Sequence, residues 1–112
     1  MKPELEFDDF LAIENQLEIK IGYIVKAEPI PKSYGLALTV DFGNDDVRSV
    51  FTNLGKTHSP EALKDLVAPF ITNLKPSVIK GVKSEAMIMV GKSLEGEDQV
   101  GLNYLRIGTK LI

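Results

Sequence analysis

The sequence predicts an all-β fold, a five-stranded barrel with a short helix between the third and fourth strands. Apolar residues recur at every second position from Leu17 to Val25, which is the period of a half-buried strand. Four further apolar segments follow, bounded by stretches rich in Gly, Pro and Asn. A helix-start pattern, Ser59-Pro60-Glu61, falls between the third and fourth of the predicted strands.

The N-terminal part of the chain predicts a helix and then a long strand. Asp8 and Asp9 precede apolar residues, and acidic side chains stabilise the N-terminus of a helix. Gly22, in the middle of the first strand, indicates a bulge or a sharp bend. Residues 28–35 contain two prolines, which cannot donate to a strand ladder, so this stretch is expected to form a loop.

A hairpin is expected next. Residues 36–42 place apolar side chains on one face of a second strand, and a third strand is expected at 48–52. Between them, residues 43–46 read Gly-Asn-Asp-Asp, which favours a tight turn.

The second half of the chain predicts the inserted helix and two more strands. The helix is expected at 59–66, with Ser59 as its N-cap, and a fourth strand at 67–74 with Pro69 near its start or at an edge. Residues 75–84 are expected to be a loop, and residues 86–90 a fifth strand.

This order of elements matches the oligonucleotide/oligosaccharide-binding (OB) barrel. At 112 residues the chain fits a single domain. We expect an N-terminal helical extension at 1–16, the barrel at 17–91, and an apolar C-terminal extension at 92–112 that packs against something else.

Composition argues against most catalytic chemistry. The chain has no cysteine, which excludes thiolate zinc sites and cysteine nucleophiles, and its one histidine, His58, cannot by itself form a metal cluster or a catalytic triad. No glycine spacing matches a phosphate-binding loop. The carboxylates cluster in turn-like stretches, as at 95–98, where solvation is the usual role. The sequence therefore predicts a protein that is not an enzyme and that holds no metal or cofactor.

The charge pattern leaves a weakly basic region on an acidic chain whose net charge is −3. Residues 1–18 hold one lysine against six carboxylates, whereas residues 71–92 hold four lysines against one carboxylate. The second stretch is either a solvated loop or a patch that attracts phosphates. An acidic N-terminus, together with the lack of an apolar run of about 20 residues, predicts a cytoplasmic protein with no membrane partner.

Four segments carry a resemblance to a known family, and the Lys83-Ser84-Glu85 triplet lies within the third. They are residues 21–28, residues 38–43, residues 73–88 and residues 108–111. From Phe7 to Ile112 the chain resembles the tRNA-binding domain family, and it looks most like the branch of CsaA chaperones and stand-alone bacterial tRNA-binding proteins.

The resemblance implies a non-catalytic OB domain that binds tRNA. The RNA-binding residues that it implies are Lys75, Lys80, Lys83, Ser84, Met87 and Arg48. Where the family has Arg-Lys after the proline of its binding loop, this chain has Ser77 and Val78, which predicts fewer phosphate contacts and weak, salt-dependent binding.

Two other functions stay open. The same surface could bind unfolded or precursor polypeptides, as an export chaperone does, or the domain could be an interaction module without RNA binding. A homodimer is expected, because the apolar flanking segments need a partner and the related family dimerises through such segments. The expected interface residues are Phe10, Leu11, Tyr104 and Ile107.

Overall fold

The computed structural model describes residues 1–101 and 107–111, and its central sheet is a nearly closed five-stranded barrel. The sheet order is β3-β2-β1-β4-β7, with all neighbours antiparallel, which confirms the predicted fold class. The helices are α1 (Phe7–Glu14) and α2 (Pro60–Leu63), and a 3-10 turn spans Leu54–Lys56. The strands are β1 (Ile19–Pro29), β2 (Leu36–Asp41), β3 (Val47–Thr52), β4 (Val67–Ile71), β5 (Ser77–Ile79), β6 (Val82–Ser84), β7 (Met87–Ile88), β8 (Gly91–Lys92), β9 (Asp98–Gln99) and β10 (Lys110–Leu111).

The barrel closes where β3 meets the stretch that joins β6 to β7. The backbone N–H of Glu85 donates to the carbonyl of Ser49 at 2.9 Å, and the N–H of Phe51 donates to Oγ of Ser84 at 3.0 Å. These two bonds cover the open edge of β3 and protect it from pairing with another chain. On the other side of the sheet, β10 pairs with the start of β1.

The core lies inside the barrel and follows the alternation seen in the sequence. Leu36, Leu38 and Val40 on β2 are all buried, while the residues between them are half-buried. Phe42 and Phe70 meet edge to face, with ring centroids 5.3 Å apart. Full burial of side chains of this size contributes roughly 1.5–3 kcal/mol each.

Gly22 has a different role from the one predicted. The irregularity in β1 lies between Ile24 and Lys26, where the register with β2 shifts, and not at Gly22. A Cβ at Gly22 would lie 2.5 Å from Cγ1 of Val40 and 2.8 Å from Cε1 of Phe42. Glycine is required here because core side chains pack directly against the backbone.

The largest difference from the sequence prediction lies at residues 73–84, which we call the arm. Its outer part is a β-hairpin of β5 and β6, where a loop was expected. Lys80 and Gly81 form the two-residue turn with φ of 49° and 82°, as a type I′ turn requires. The prediction missed the hairpin because three-residue strands are too short to show a period.

The remaining elements differ from prediction mainly in length. Ser59 caps α2 as predicted, its Oγ accepting from the N–H of Ala62 at 3.2 Å. The helix ends at Leu63, short of the predicted 66, and Asp65 has a positive φ of 71°, which no helix tolerates. Strand β1 continues past its predicted end to Pro29, whereas β4 stops at Ile71.

Candidate nucleic-acid interface

An open groove of about 640 Å³ lies between β3, the 3-10 turn, the arm and β7. Apolar side chains line most of it, and three lysines stand among them. The apolar lining includes Phe51, Leu54, Leu74, Ile79, Met87, Ile88 and Val90, and the lysines are Lys56, Lys75 and Lys92. A ligand in this groove therefore meets apolar surface and positive charge together.

The three lysines differ in how free they are to meet a ligand. Nζ of Lys92 lies 3.3 Å from a carboxylate oxygen of Asp98, which also lines the groove and offsets part of the positive charge there. None of the salt bridges among the described residues involves Lys56 or Lys75. The groove thus offers two lysines with uncompensated charge.

The structure separates the lysines that were predicted to act together. Lys75 lines the groove, whereas Lys80 is at the tip of the hairpin turn. Val78 pairs with Lys83 across the hairpin, and both lie on the face opposite Ser77 and Ser84, which line the groove. Lys80 and Lys83 therefore extend the positive charge along the arm and away from the groove.

Ser84 and Met87, two of the predicted RNA-binding residues, line the groove. The hydroxyl of Ser84 accepts from Phe51 and donates to the carbonyl of Ala86 at 3.2 Å, so it also joins β3 to the end of the arm. Met87 is 49% exposed, while Ile88 is buried, so the two side chains face opposite sides of β7. An exposed thioether is an adaptable apolar contact for a base or a side chain.

Arg48 is engaged by the protein itself. Its Nε and Nη2 donate to the two carboxylate oxygens of Asp46 at 2.9 and 3.1 Å, and its guanidinium lies 5.3 Å from the ring centroid of Phe42. Nη1 donates to the carbonyls of Thr72 at 2.6 Å and Glu85 at 3.3 Å. These two residues flank the arm, so one guanidinium bridges both of its ends. The predicted RNA contact of Arg48 stays a prediction.

Polar contacts continue from Arg48 to β1. The hydroxyl of Thr72 donates to Oε1 of Glu18 at 2.6 Å, and this hydrogen bond lowers the pKa of Glu18 below its ordinary value of 4.5. The hydrogen bonds that Arg48 donates to the carboxylate of Asp46 raise the pKa of Arg48. The ends of the arm are thus fixed by a chain of charged and polar groups, which makes its position well defined.

Sequence reasoning missed Lys56 and Lys92 as groove residues. Lys92 was part of the basic stretch at 71–92, but no motif singled it out. Lys56 ends the 3-10 turn, two residues after the buried Leu54, and neither the charge pattern nor the spacing of apolar residues marks it as a binding residue. Only the closing of the barrel brings Lys56 near Lys75.

The described residues contain no cluster of three or more His, Asp or Glu that could hold a metal ion. No helix among them is long and apolar enough to cross a membrane.

A family described as "Putative tRNA binding domain" matches residues 19–106, which include β1 to β9, the arm and the groove. The chain belongs to this family. It is 40% identical over 91 residues to a methionine–tRNA ligase of Methanococcoides burtonii, a match that covers 80% of this chain and 13% of the ligase. This tRNA-binding domain therefore spans a small part of the length of such relatives.

Two solved structures match almost the whole tRNA-binding domain. A MetRS-related protein from Pyrococcus horikoshii has a TM-score of 0.82 at 26% identity, covering 99% of this chain and 100% of that one. The chaperone CsaA from Bacillus anthracis has a TM-score of 0.78 at 28% identity, covering 98% and 100%. Both matches therefore extend beyond the barrel.

The predicted dimer residues lie at the two ends of the chain. Phe10 is 46% exposed, Ile107 is 42% exposed, and Leu11 is half-buried. Tyr104 lies outside the described residues. Helix α1 buries none of its residues, so its apolar side chains are available for an interface.

Proposed function

We propose that this domain binds tRNA without catalysing a reaction, with the groove and the arm as its binding surface. The observation that carries the proposal is the groove itself, whose lining combines Lys56 and Lys75 with apolar side chains such as Phe51 and Met87. Lysines hold phosphates, while apolar and aromatic surface receives bases. Lys80 and Lys83 add positive charge along the arm, and Arg48 holds its two ends. A tRNA ligand fits the cytoplasmic location expected from the sequence.

The salt dependence of tRNA binding tests this proposal. Each phosphate contact adds roughly 0.7–0.9 to the slope of log affinity against log salt. Replacing Lys75, Lys80 and Lys83 by alanine together should weaken binding of every tRNA alike and reduce the slope by about 2. Lys26→Ala is the matched control, because Lys26 is exposed, pairs with Glu28 at 3.2 Å and does not line the groove. An unchanged slope in the triple variant would contradict the proposal.

A second candidate is binding of unfolded polypeptide on the same surface. The apolar lining favours it, since Leu74, Ile79 and Val90 are all exposed there, and the similar CsaA structure is named a chaperone. Leu74→Ser should then reduce the suppression of client aggregation, while the triple lysine variant retains it. A domain that fails both assays would be an interaction module without RNA binding.

We also propose that the protein is a homodimer through the apolar residues of α1 and the C-terminal segment. Phe10 and Ile107 are the exposed members of the predicted interface. A second cavity, of about 380 Å³, lies between α1 and β1. Its lining includes Phe10, Ile13, Leu17 and Ile19, and a second copy of the chain would cover this apolar surface.

A further inference from the structure

The loop between β1 and β2 is held in shape by hydrogen bonds and presents an exposed tyrosine, Tyr34. The N–H of Ile30 donates to the carbonyl of Gly35 at 2.9 Å, and the N–H of Gly35 donates to Oγ of Ser33 at 2.8 Å. A Cβ at Gly35 would lie 2.7 Å from Cε2 of Phe51, so the loop packs directly against a residue of the groove lining. Tyr34, held between Ser33 and Gly35, is nevertheless 63% exposed.

The 3-10 turn fixes a lysine next to this ring. A Cβ at Gly55 would lie 2.3 Å from the carbonyl oxygen of Tyr34, so the two backbones touch and no larger residue fits between them. The following residue, Lys56, places its Nζ 5.8 Å from the centroid of the Tyr34 ring. The aromatic surface and the positive charge are therefore held together by backbone contact.

A depression of about 340 Å³ lies beside the ring, and one residue of its lining is shared with the groove. It is lined by Tyr34, Gly55, Thr57 and His58, among others, and Thr57 also lines the groove. Its volume is at the lower end of the range for small-ligand pockets. Oγ1 of Thr57 lies 2.8 Å from Nδ1 of His58, and no described residue bonds to the other ring nitrogen, Nε2. That nitrogen can pair with a polar group of a ligand.

We propose that this depression binds one unpaired nucleobase, which stacks on the Tyr34 ring while a phosphate next to that nucleotide meets Lys56. This inference rests on the proposed RNA binding and adds to it a contact with a base. A ring of this exposure beside a cation has the two parts of a stacking site for single-stranded nucleic acid. Because Lys56 lines the groove as well, one RNA strand can run from Lys75 through the groove to Tyr34.

The test uses single-stranded RNA of about 12 nucleotides, a length within the site sizes of OB folds, and the same RNA with abasic riboses. Alanine substitution at a stacking aromatic weakens binding by roughly five- to a hundredfold. Tyr34→Ala should therefore weaken binding of the intact RNA at least fivefold and leave the weaker binding of the abasic RNA unchanged. Tyr34→Phe, which keeps the ring, should bind both RNAs as the wild type does.

The outcomes separate this inference from the proposed function. One result overturns the inference alone: the wild type binds RNA, the triple lysine variant binds it more weakly, and Tyr34→Ala binds it as the wild type does. Tyr34 is then not a stacking site, and the proposed function stands. If Tyr34→Ala weakens intact and abasic RNA equally, the ring does not stack on a base, and the inference is again overturned. If the wild type binds no RNA at all, both fail. A thermal unfolding curve for each variant shows whether a loss of binding is a loss of fold.

Discussion

Replacing Arg48 by methionine tests whether its guanidinium holds the two ends of the arm. The substitution removes the paired bonds to Asp46 and the bonds to the carbonyls of Thr72 and Glu85, while it keeps most of the apolar volume beside Phe42. Hydrogen bonds to charged groups contribute about 1.5–3 kcal/mol each. The side chains of Arg48 and Asp46 are 20% and 33% exposed, so solvent screens part of their attraction.

We expect Arg48→Met to lower the free energy of unfolding by about 2–4 kcal/mol, less than the sum of the lost bonds. In a domain of this size that corresponds to a fall in Tm of roughly 8–17 °C. Amide hydrogen exchange should also speed up in residues 73–84, because this segment loses the contact that joins its ends. Thermal unfolding followed by circular dichroism measures the first effect, and exchange mass spectrometry measures the second.

The control is Lys26→Met, which removes an exposed ion pair with Glu28 and should change stability by less than about 0.5 kcal/mol. A Tm for Arg48→Met within about 2 °C of the wild type, with unchanged exchange in residues 73–84, would refute the claim that Arg48 holds the two ends of the arm. A fall in RNA affinity without any change in Tm or exchange would instead identify Arg48 as a direct RNA contact.

Three further predictions concern the dimer, the acid stability and the arm. Phe10→Asp should convert a dimer to a particle of about half its mass in light scattering, and a wild type that is already monomeric at micromolar concentration would exclude the dimer. Because Thr72 lowers the pKa of Glu18, the stability from this contact is present above pH 4.5 and lost as the pH falls through the lowered value. Glu18→Gln should therefore flatten the stability profile between neutral pH and that acid range, and an unchanged profile would show that the contact contributes nothing. Ser77→Arg, on the groove face, should raise tRNA affinity several-fold at moderate salt and more than Val78→Arg, which lies on the opposite face; equal effects would mean that the groove does not direct binding.

Those parts of the fold that follow from local pattern were predictable from the sequence. The alternation in β2 fixes which side chains are buried, and Ser59 followed by Pro60 marks the start of α2. The burial of Ile88 and the exposure of Met87 follow from the same period. Local signals failed where the structure depends on tertiary contact, as at Gly22, which is required by the side chains of β2 and not by a bulge.

The candidate site was predictable in its residue types but not in its arrangement. Lys75, Ser84 and Met87 line the groove, whereas Lys80 and Lys83 of the same stretch lie along the arm. Lys56 joins the groove residues only through the closing of the barrel. Arg48 bonds to carbonyls 24 and 37 residues further along the chain, and no sequence pattern carries such a contact.

The most direct test of RNA binding in the groove uses the methyl groups of the three methionines, Met1, Met87 and Met89, as reporters. Met87 lines the groove, whereas Met89 does not line it but lies in a neighbouring depression with Pro69 and Gln99, so its methyl group serves as an internal control. Carbon-13 methyl spectra recorded during a tRNA titration, with the signals assigned by Met89→Leu, report on both positions at once. Binding in the groove predicts that the Met87 signal shifts or broadens while the Met89 signal stays in place. A Met87 signal that is unchanged when tRNA is saturating would contradict the central claim.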